Sequence, residues 1–205
     1  MTLKLQFTLK SSIFDRPRRL TLDPDYLEFD DKDLVSSPPA RFLKEEIEGL
    51  RFGINWARGY SFNFGRIYCI DIRNEANQVI RLRLRSYYGI RKRKLGEEYV
   101  KIANLLYRYY FYDLTQHYLR LFENNIPFDI LRVNFSAEGI IFDKKVGPIP
   151  WDFLGARSYK TYYSLFSKTN PTQYKAFDYI HDWNVCVLEG VTAQIITQKS
   201  LAREC

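Results

Sequence analysis

The strongest chemical feature of the sequence is a run of cations. Residues 81–94 read RLRLRSYYGIRKRK and contain Arg81, Arg83, Arg85, Arg91, Lys92, Arg93 and Lys94, with no acid among them. The whole chain carries 31 basic and 24 acidic residues, a net charge of +7, so this segment holds the entire excess. The rest of the protein is charge-balanced. That distribution excludes a generally cationic, histone-like chain and implies one local surface that faces an anion. Tyr87 and Tyr88 interrupt the cations and could stack on bases. Three anions fit this chemistry: an acidic protein partner, the headgroups of an anionic membrane, and nucleic-acid phosphates. No helix-turn-helix or RNA-recognition signature supports the last.

Catalysis has fewer groups to draw on. The two histidines, His117 and His181, both fall in segments with helical spacing. Asp178 is three residues before His181 and could pair with it, but no nucleophile accompanies them. Cys69, Cys186 and Cys205 are odd in number and form no CxxC, the usage of a reduced intracellular chain. Glu45-Glu46 and Glu97-Glu98 read as surface acids. No cluster has metal-ligand spacing, and neither GxxxxGK[ST] nor GxGxxG occurs. The expectation is therefore no catalytic residue, no metal and no cofactor.

The elements that must position the cations read first as β. Leu3, Leu5, Phe7 and Leu9 alternate with polar residues, as in a half-buried strand. Arg19–Asp30 reads as two short strands around a turn at Asp23-Pro24-Asp25. A loop over 31–40 is followed by strand character over Arg41–Trp56, broken at Gly49 or Gly53. Gly65, between Phe62/Phe64 and Tyr68/Ile70/Ile72, is expected to mark a β-bulge. Beyond a turn at 74–77, Ile80, Leu82 and Leu84 point inward and Arg81, Arg83 and Arg85 outward. The implied register sets Ile72 opposite Ile80 and Asp71 opposite Arg81, one carboxylate for three arginines.

Residues 97–123 read as an amphipathic helix whose two apolar stripes are offset, requiring a bend near 110–113 or two helices. The aromatic run 107–112 covers every helix face and is expected in a core. Residues 130–166 return to β character, with strands expected at 151–156 and 159–166. Asn170-Pro171 then predicts the start of a long helix over 171–198, with Gly190 inside it. The fold class is thus α+β, with antiparallel curved sheets or partly open barrel units and two amphipathic helices. The division read from the sequence is 1–125, a β unit with its helix, and 126–205, a shorter hairpin and strand unit with a long helix. Residues 91–94 fall in a solvated loop in this reading. The N-terminus lacks a signal-peptide pattern, and no apolar run is long enough to span a bilayer. A cytoplasmic protein is expected, with peripheral membrane association as the alternative.

Two segments align without gaps. LDPDYLEFDDK at 22–32 matches FSAEGIIFDKK at 135–145, and IEGLR at 47–51 matches FLGAR at 153–157 after a loop seven residues shorter. With GPIPWDFLGARSY completing the second copy, these patterns resemble the pleckstrin-homology-like superfold, in particular its small bacterial members. The block RFGINWARGYSFNFGRIYCIDI is also similar to an uncharacterised bacterial family. The resemblance implies curved sheets, each closed by a C-terminal helix, and a binding rather than catalytic role. Seven strands are implied per unit, whereas only about four are legible in the second unit before Asn170. The functional expectation is an adaptor-like binding protein that docks an acidic protein partner through Arg81, Arg83, Arg85, Tyr87, Tyr88, Arg91, Lys92, Arg93 and Lys94. Anionic headgroups or nucleic-acid phosphates at the same strip are the alternatives.

Overall fold

The computed structural model describes residues 3–10, 16–30, 38–142 and 147–204. The chain divides into two compact units, 1–110 and 111–205. Both are built from antiparallel sheets and helices, so the α+β class holds, and no sheet among the described residues closes into a barrel. Among the described residues no helix is long and apolar enough to cross a membrane.

In the first unit, β1 (Leu5–Leu9), β2 (Arg18–Leu22), β3 (Tyr26–Phe29) and β4 (Ala40–Leu43) form a meander in that order. Phe7 and Leu9 are buried while Gln6 and Thr8 are exposed, as the alternation requires. The β2–β3 turn is the expected one, with the Asp25 N–H donating to Asp23 Oδ1 at 3.1 Å. Of the expected loop at 31–40, residues 31–37 lie outside the described residues. The chain then breaks not at a glycine but at a 3-10 turn, Lys44–Glu46, where Glu46 Oε2 accepts the Leu43 N–H at 2.8 Å. A second meander follows: β5 (Ile47–Arg58), β6 (Asn63–Asn74) and β7 (Val79–Tyr87). Its register is the one read from sequence, with Ile72 opposite Ile80, Ile70 opposite Leu82 and Asp71 opposite Arg81. The bulge expected at Gly65 lies beside it: Gly65 pairs with Ala57 but Asn63 pairs with Arg58, so Phe64 is an extra residue on β6. Its cause is not a parity change, since Phe64, Tyr68, Ile70 and Ile72 share parity. A second irregularity lies on β5, between Ile47 and Gly49.

Helix α1 (Lys92–Leu106) begins five residues before the expected Glu97. It buries Leu95, Tyr99, Ile102, Ala103 and Leu106. The Tyr99 ring lies 5.2 Å from Tyr68 and 6.4 Å from Phe52, against the second sheet. A π-helical turn, Tyr107–Phe111, resolves the offset stripes. Its wider hydrogen-bond ring rotates the apolar face and sets three consecutive aromatics, Tyr109, Tyr110 and Phe111, inside. Tyr112, expected in the same core, is exposed. The Tyr109 hydroxyl donates to Leu3 O at 2.8 Å, and that of Tyr110 lies 2.7 Å from Asp23 O and 2.8 Å from Tyr26 O. The helix end is thereby tied to the first sheet, and burial pushes the Tyr110 hydroxyl well above the ordinary tyrosine range.

Asp30 accepts both terminal nitrogens of Arg16, at 2.6 and 2.8 Å, and this hydrogen-bonded guanidinium holds its carboxyl below the usual carboxylate range. A depressed carboxyl stabilises the fold above its unfolded pKa, and the contribution disappears as pH falls through the folded value. Asp30→Asn is therefore expected to lower Tm at neutral pH, and the gap to the parent is expected to close as pH falls through the lowered folded value. A gap that does not change with pH would exclude the ion pair as its source.

The second unit opens with α2 (Tyr112–Glu123). Strands β8 (Phe128–Ile130), β9 (Val133–Phe135), β10 (Gly139–Ile141) and β11 (Ile149–Pro150) then form a second four-stranded meander. A 3-10 turn, Trp151–Phe153, leads into β12 (Leu154–Ser158), β13 (Tyr162–Ser167) and β14 (Tyr174–Asp178), and α3 (Val185–Glu204) closes the unit. The described residues of this unit therefore form seven strands, where about four were legible. The strand expected over 151–156 starts only at Leu154. The helix expected over 171–198 starts only at Val185. Asn170 does not cap a helix; its Oδ1 accepts the Thr172 N–H at 3.1 Å and closes an Asx turn. Residues 174–178 pair with β13 instead. Asp178 Oδ1 accepts the backbone N–H groups of Ile180 and His181, at 2.8 and 3.0 Å, so the Asp178–His181 pair is a turn device. The stripe Val187, Val191 and Ile195 is buried, as its spacing predicts.

The internal repeat carries the same register in both units. Leu22 pairs with Leu27 as Phe135 pairs with Ile140, and Gly49 with Arg73 as Gly155 with Phe166. The ungapped alignment slips by one residue at the second segment. Ile47 follows the 3-10 turn as Leu154 does, and the residue between Ile47 and Gly49 is the bulge residue Glu48. Six of the seven extra residues in the first copy thus precede Leu43, and the seventh is Glu48. The bulge brings the Glu48 carboxylate within 2.7 Å of Arg73 Nε.

Candidate anion-binding surface

The cations of residues 81–94 are placed by β7 and by the first turn of α1, both in the first unit. Strand β7 buries Ile80, Leu82, Leu84 and Ser86 and turns Arg81, Arg83 and Arg85 to the other face. The three arginines are not equivalent. Asp71, whose side chain is only 4% exposed, stands opposite Arg81 in register, yet its carboxylate goes elsewhere. Arg51 Nε donates to its Oδ2 at 3.0 Å, and Arg83 Nη1 lies 2.5 Å from Oδ1 in an ion contact that lacks hydrogen-bond angles. Arg83 also donates to Leu82 O at 2.9 Å, so its guanidinium folds back over the sheet. Arg81 and Arg85 are exposed and have no ion pair among the described residues. They border a cleft of about 350 Å³ whose opposite wall is Leu9, Arg18 and Phe29.

The second cluster is helical, which corrects the loop expected at 91–94. Arg91 sits at φ 57° immediately before α1, and Lys92, Arg93 and Lys94 form its first turn, all exposed. Four cations and no acid at a helix N-terminus oppose the helix dipole. This explains why helix-start signals placed the beginning at Glu97-Glu98. Only Arg93 is answered among the described residues, donating to Glu97 Oε1 at 2.9 Å on an exposed face. The turn itself is well tied: Ser86 Oγ donates to Ile90 O at 2.8 Å and Tyr68 OH to Lys92 O at 3.2 Å. Tyr88 is held at φ 50°, with its ring exposed and 6.0 Å from Phe64, while Tyr87 stacks on Phe64 at 5.8 Å.

Sequence reading missed the β5–β6 hairpin tip beside this turn. Tyr60, Phe62, Tyr88 and Ile90 are exposed there, and Arg66 lies over the Trp56 ring at 4.5 Å. A second cavity of about 310 Å³ is lined by Trp56, Phe62, Phe64, Arg66, Tyr88 and Lys92. The available signal was RGYSFNF at 58–64, in which aromatics alternate with turn residues rather than with sheet formers.

The second unit has no matching arginine row among its described residues. The strand equivalent to β7 is β14, whose Lys175 is committed to Leu131 O and Arg132 O, each at 3.1 Å. Burial lowers the pKa of that lysine. Its sheet instead carries a stacked Tyr159–Tyr162 pair at 4.6 Å. Among the described residues no three His, Cys, Asp or Glu side chains gather to hold a metal. His117 lies beside the Tyr118 ring, and the Cys69 thiol is buried, which raises its pKa. Compared with known protein families, curated proteins and solved structures, the chain matches none of them.

Proposed function

We propose that the chain is a non-catalytic binding protein made of two pleckstrin-homology-like units in tandem, and that the first docks an acidic segment of a protein partner on its basic surface. The PH-like reading is supported by the order found in each unit: a four-stranded meander, a 3-10 turn, a three-stranded meander and a helix. One observation carries the docking reading. The carboxylate buried beneath the arginine row is already shared by Arg51 and Arg83, and this leaves Arg81 and Arg85 at the cleft without a counter-ion among the described residues. Cations and aromatic rings hold an anion; they provide no nucleophile. A second reading, an anionic membrane surface, is favoured by the exposed Tyr60, Phe62, Tyr88 and Ile90 next to Arg91–Lys94. Each cation near such a surface contributes about 1 kcal/mol.

The test is fluorescence anisotropy with a labelled polyglutamate peptide at low and near-physiological salt, with anionic liposomes and an oligonucleotide as competitors. Salt-sensitive peptide binding that persists against both competitors supports the acidic-partner reading. Pelleting with liposomes without peptide binding replaces it with the membrane reading. Reversing Arg91, Lys92, Arg93 and Lys94 to glutamate separates binding from folding. Acids in a first helical turn favour the dipole, each by about 0.3–1 kcal/mol, although the substitution of Arg93 sets a like charge against Glu97. Tm is expected to stay within about 5 °C of the parent while anion binding falls. A loss of many degrees would make these residues structural and remove the docking role.

A further inference from the structure

We infer that β7 receives the acidic segment as an added antiparallel strand, a reading that rests on the acidic-partner assignment above. Strand β7 is the edge of its sheet and, among the described residues, pairs only with β6. Its outer edge therefore presents backbone donors and acceptors to any chain that lies alongside. Arginines on an edge strand also discourage unwanted pairing, so the row alone decides nothing. The cleft is the deciding observation. It runs beside β7, between the arginine row and a wall of Leu9, Arg18 and Phe29, so a chain laid along the β7 edge would cover the buried rim formed by Leu9, Phe29, Leu82 and Leu84.

A strand laid there has side chains that alternate between two environments. One parity meets Arg81, Arg83 and Arg85, which recur about every 7 Å along β7. The other faces the wall of Leu9, Arg18 and Phe29, at the rim of the core. The recognised pattern is an acid alternating with an apolar residue. Within it the acids opposite Arg81 and Arg85, four residues apart, matter most, because Asp71 already neutralises Arg83. Directly opposed unlike charges on neighbouring strands are favourable, and backbone pairing fixes their register.

The probes are a labelled alternating Glu-Val octapeptide, a block isomer with all Glu before all Val, and two versions of the alternating peptide N-methylated at one parity each. The alternating peptide is expected to bind, and the Arg81→Glu/Arg85→Glu variant to weaken it by about tenfold or more with little change in Tm, since both residues are exposed. One N-methylated version is expected to fail and the other to bind, because only one parity faces β7. If the block isomer and both methylated peptides bind as well as the alternating one, strand addition is overturned while the acidic-partner reading survives. If no acidic peptide binds, polyglutamate included, both are overturned.

Discussion

Asp71→Ala is expected to destabilise the first unit by about 3 kcal/mol and, at the same time, to tighten its hold on acidic peptides. The two effects have one origin. Asp71 is a buried carboxylate shared by two guanidinium groups, and removing one partner of a buried pair costs about 3–5 kcal/mol because the other charge is left uncompensated. Arg51 and Arg83 keep 25% and 26% of their side-chain surface exposed, so each can turn toward water, and the cost falls at the low end of that range. Freed from Asp71, Arg83 rejoins Arg81 and Arg85 and completes the row. A purely structural ion pair would lower stability without altering affinity. Denaturant unfolding measures the first effect, and peptide anisotropy under native conditions measures the second. A triple Asp71/Arg51/Arg83 replacement by leucine should recover much of the lost stability, because it removes the buried charges together, and it should show no gain in affinity. A loss below about 1 kcal/mol for Asp71→Ala would mean that both arginines are solvated independently of it.

How far the sequence revealed this site depends on the range of the interactions involved. The β6–β7 register was legible because local alternation and turn length decide it together: alternation sets the shared face of Ile70, Ile72, Ile80 and Leu82, and the short turn sets which of them are opposed. The Asp23-Pro24-Asp25 turn and the buried stripe of α3 are local in the same sense. The fate of Asp71 was not legible. Its register partner Arg81 is adjacent on the sheet, but Arg51 arrives from β5, and a single-pair reading of β6 and β7 leaves it out. Residues 171–178 were read as helix because Tyr174 and Phe177 satisfy helical spacing, while pairing with β13, a tertiary effect, set residues 174–178 as strand. The start of α1 was hidden by its own cations, since Lys92–Lys94 break the usual acidic preference of a helix N-terminus. Within the helix only Arg93 is answered, by Glu97, among the described residues.

The largest loss of stability is expected from the smallest change, Gly139→Ala in β10. A Cβ built at Gly139 would stand 2.1 Å from Ile149 O, 2.8 Å from Ile149 C and 2.9 Å from Pro150 Cα. All three are backbone atoms of β11, so no side-chain rotation relieves the clash, and the strands must separate. Strand β11 has only two residues, Ile149 and Pro150, and Gly139 and Ile140 are their partners. Next to them Trp151 is anchored through its indole N–H to Ser136 O at 3.0 Å, and its ring packs on Phe122 at 5.3 Å and Phe135 at 6.1 Å. Moving β11 therefore disturbs an aromatic cluster as well as a strand pair. We expect a cost of about 3 kcal/mol or more, above the usual range for one added methyl group. The internal repeat supplies the control. The equivalent position in the first unit is Tyr26, paired with Leu43 as Gly139 is with Pro150, and it carries a full side chain beneath the Arg41 guanidinium, 4.0 Å from its ring. Tyr26→Ala should cost packing only, whereas Gly139→Ala should force backbone apart. Denaturant midpoints for the two variants, with hydrogen exchange at Ile140 and Trp151, distinguish these mechanisms. Equal midpoints with unchanged protection at both residues would show that β11 yields freely and that its close approach to Gly139 contributes nothing to the fold.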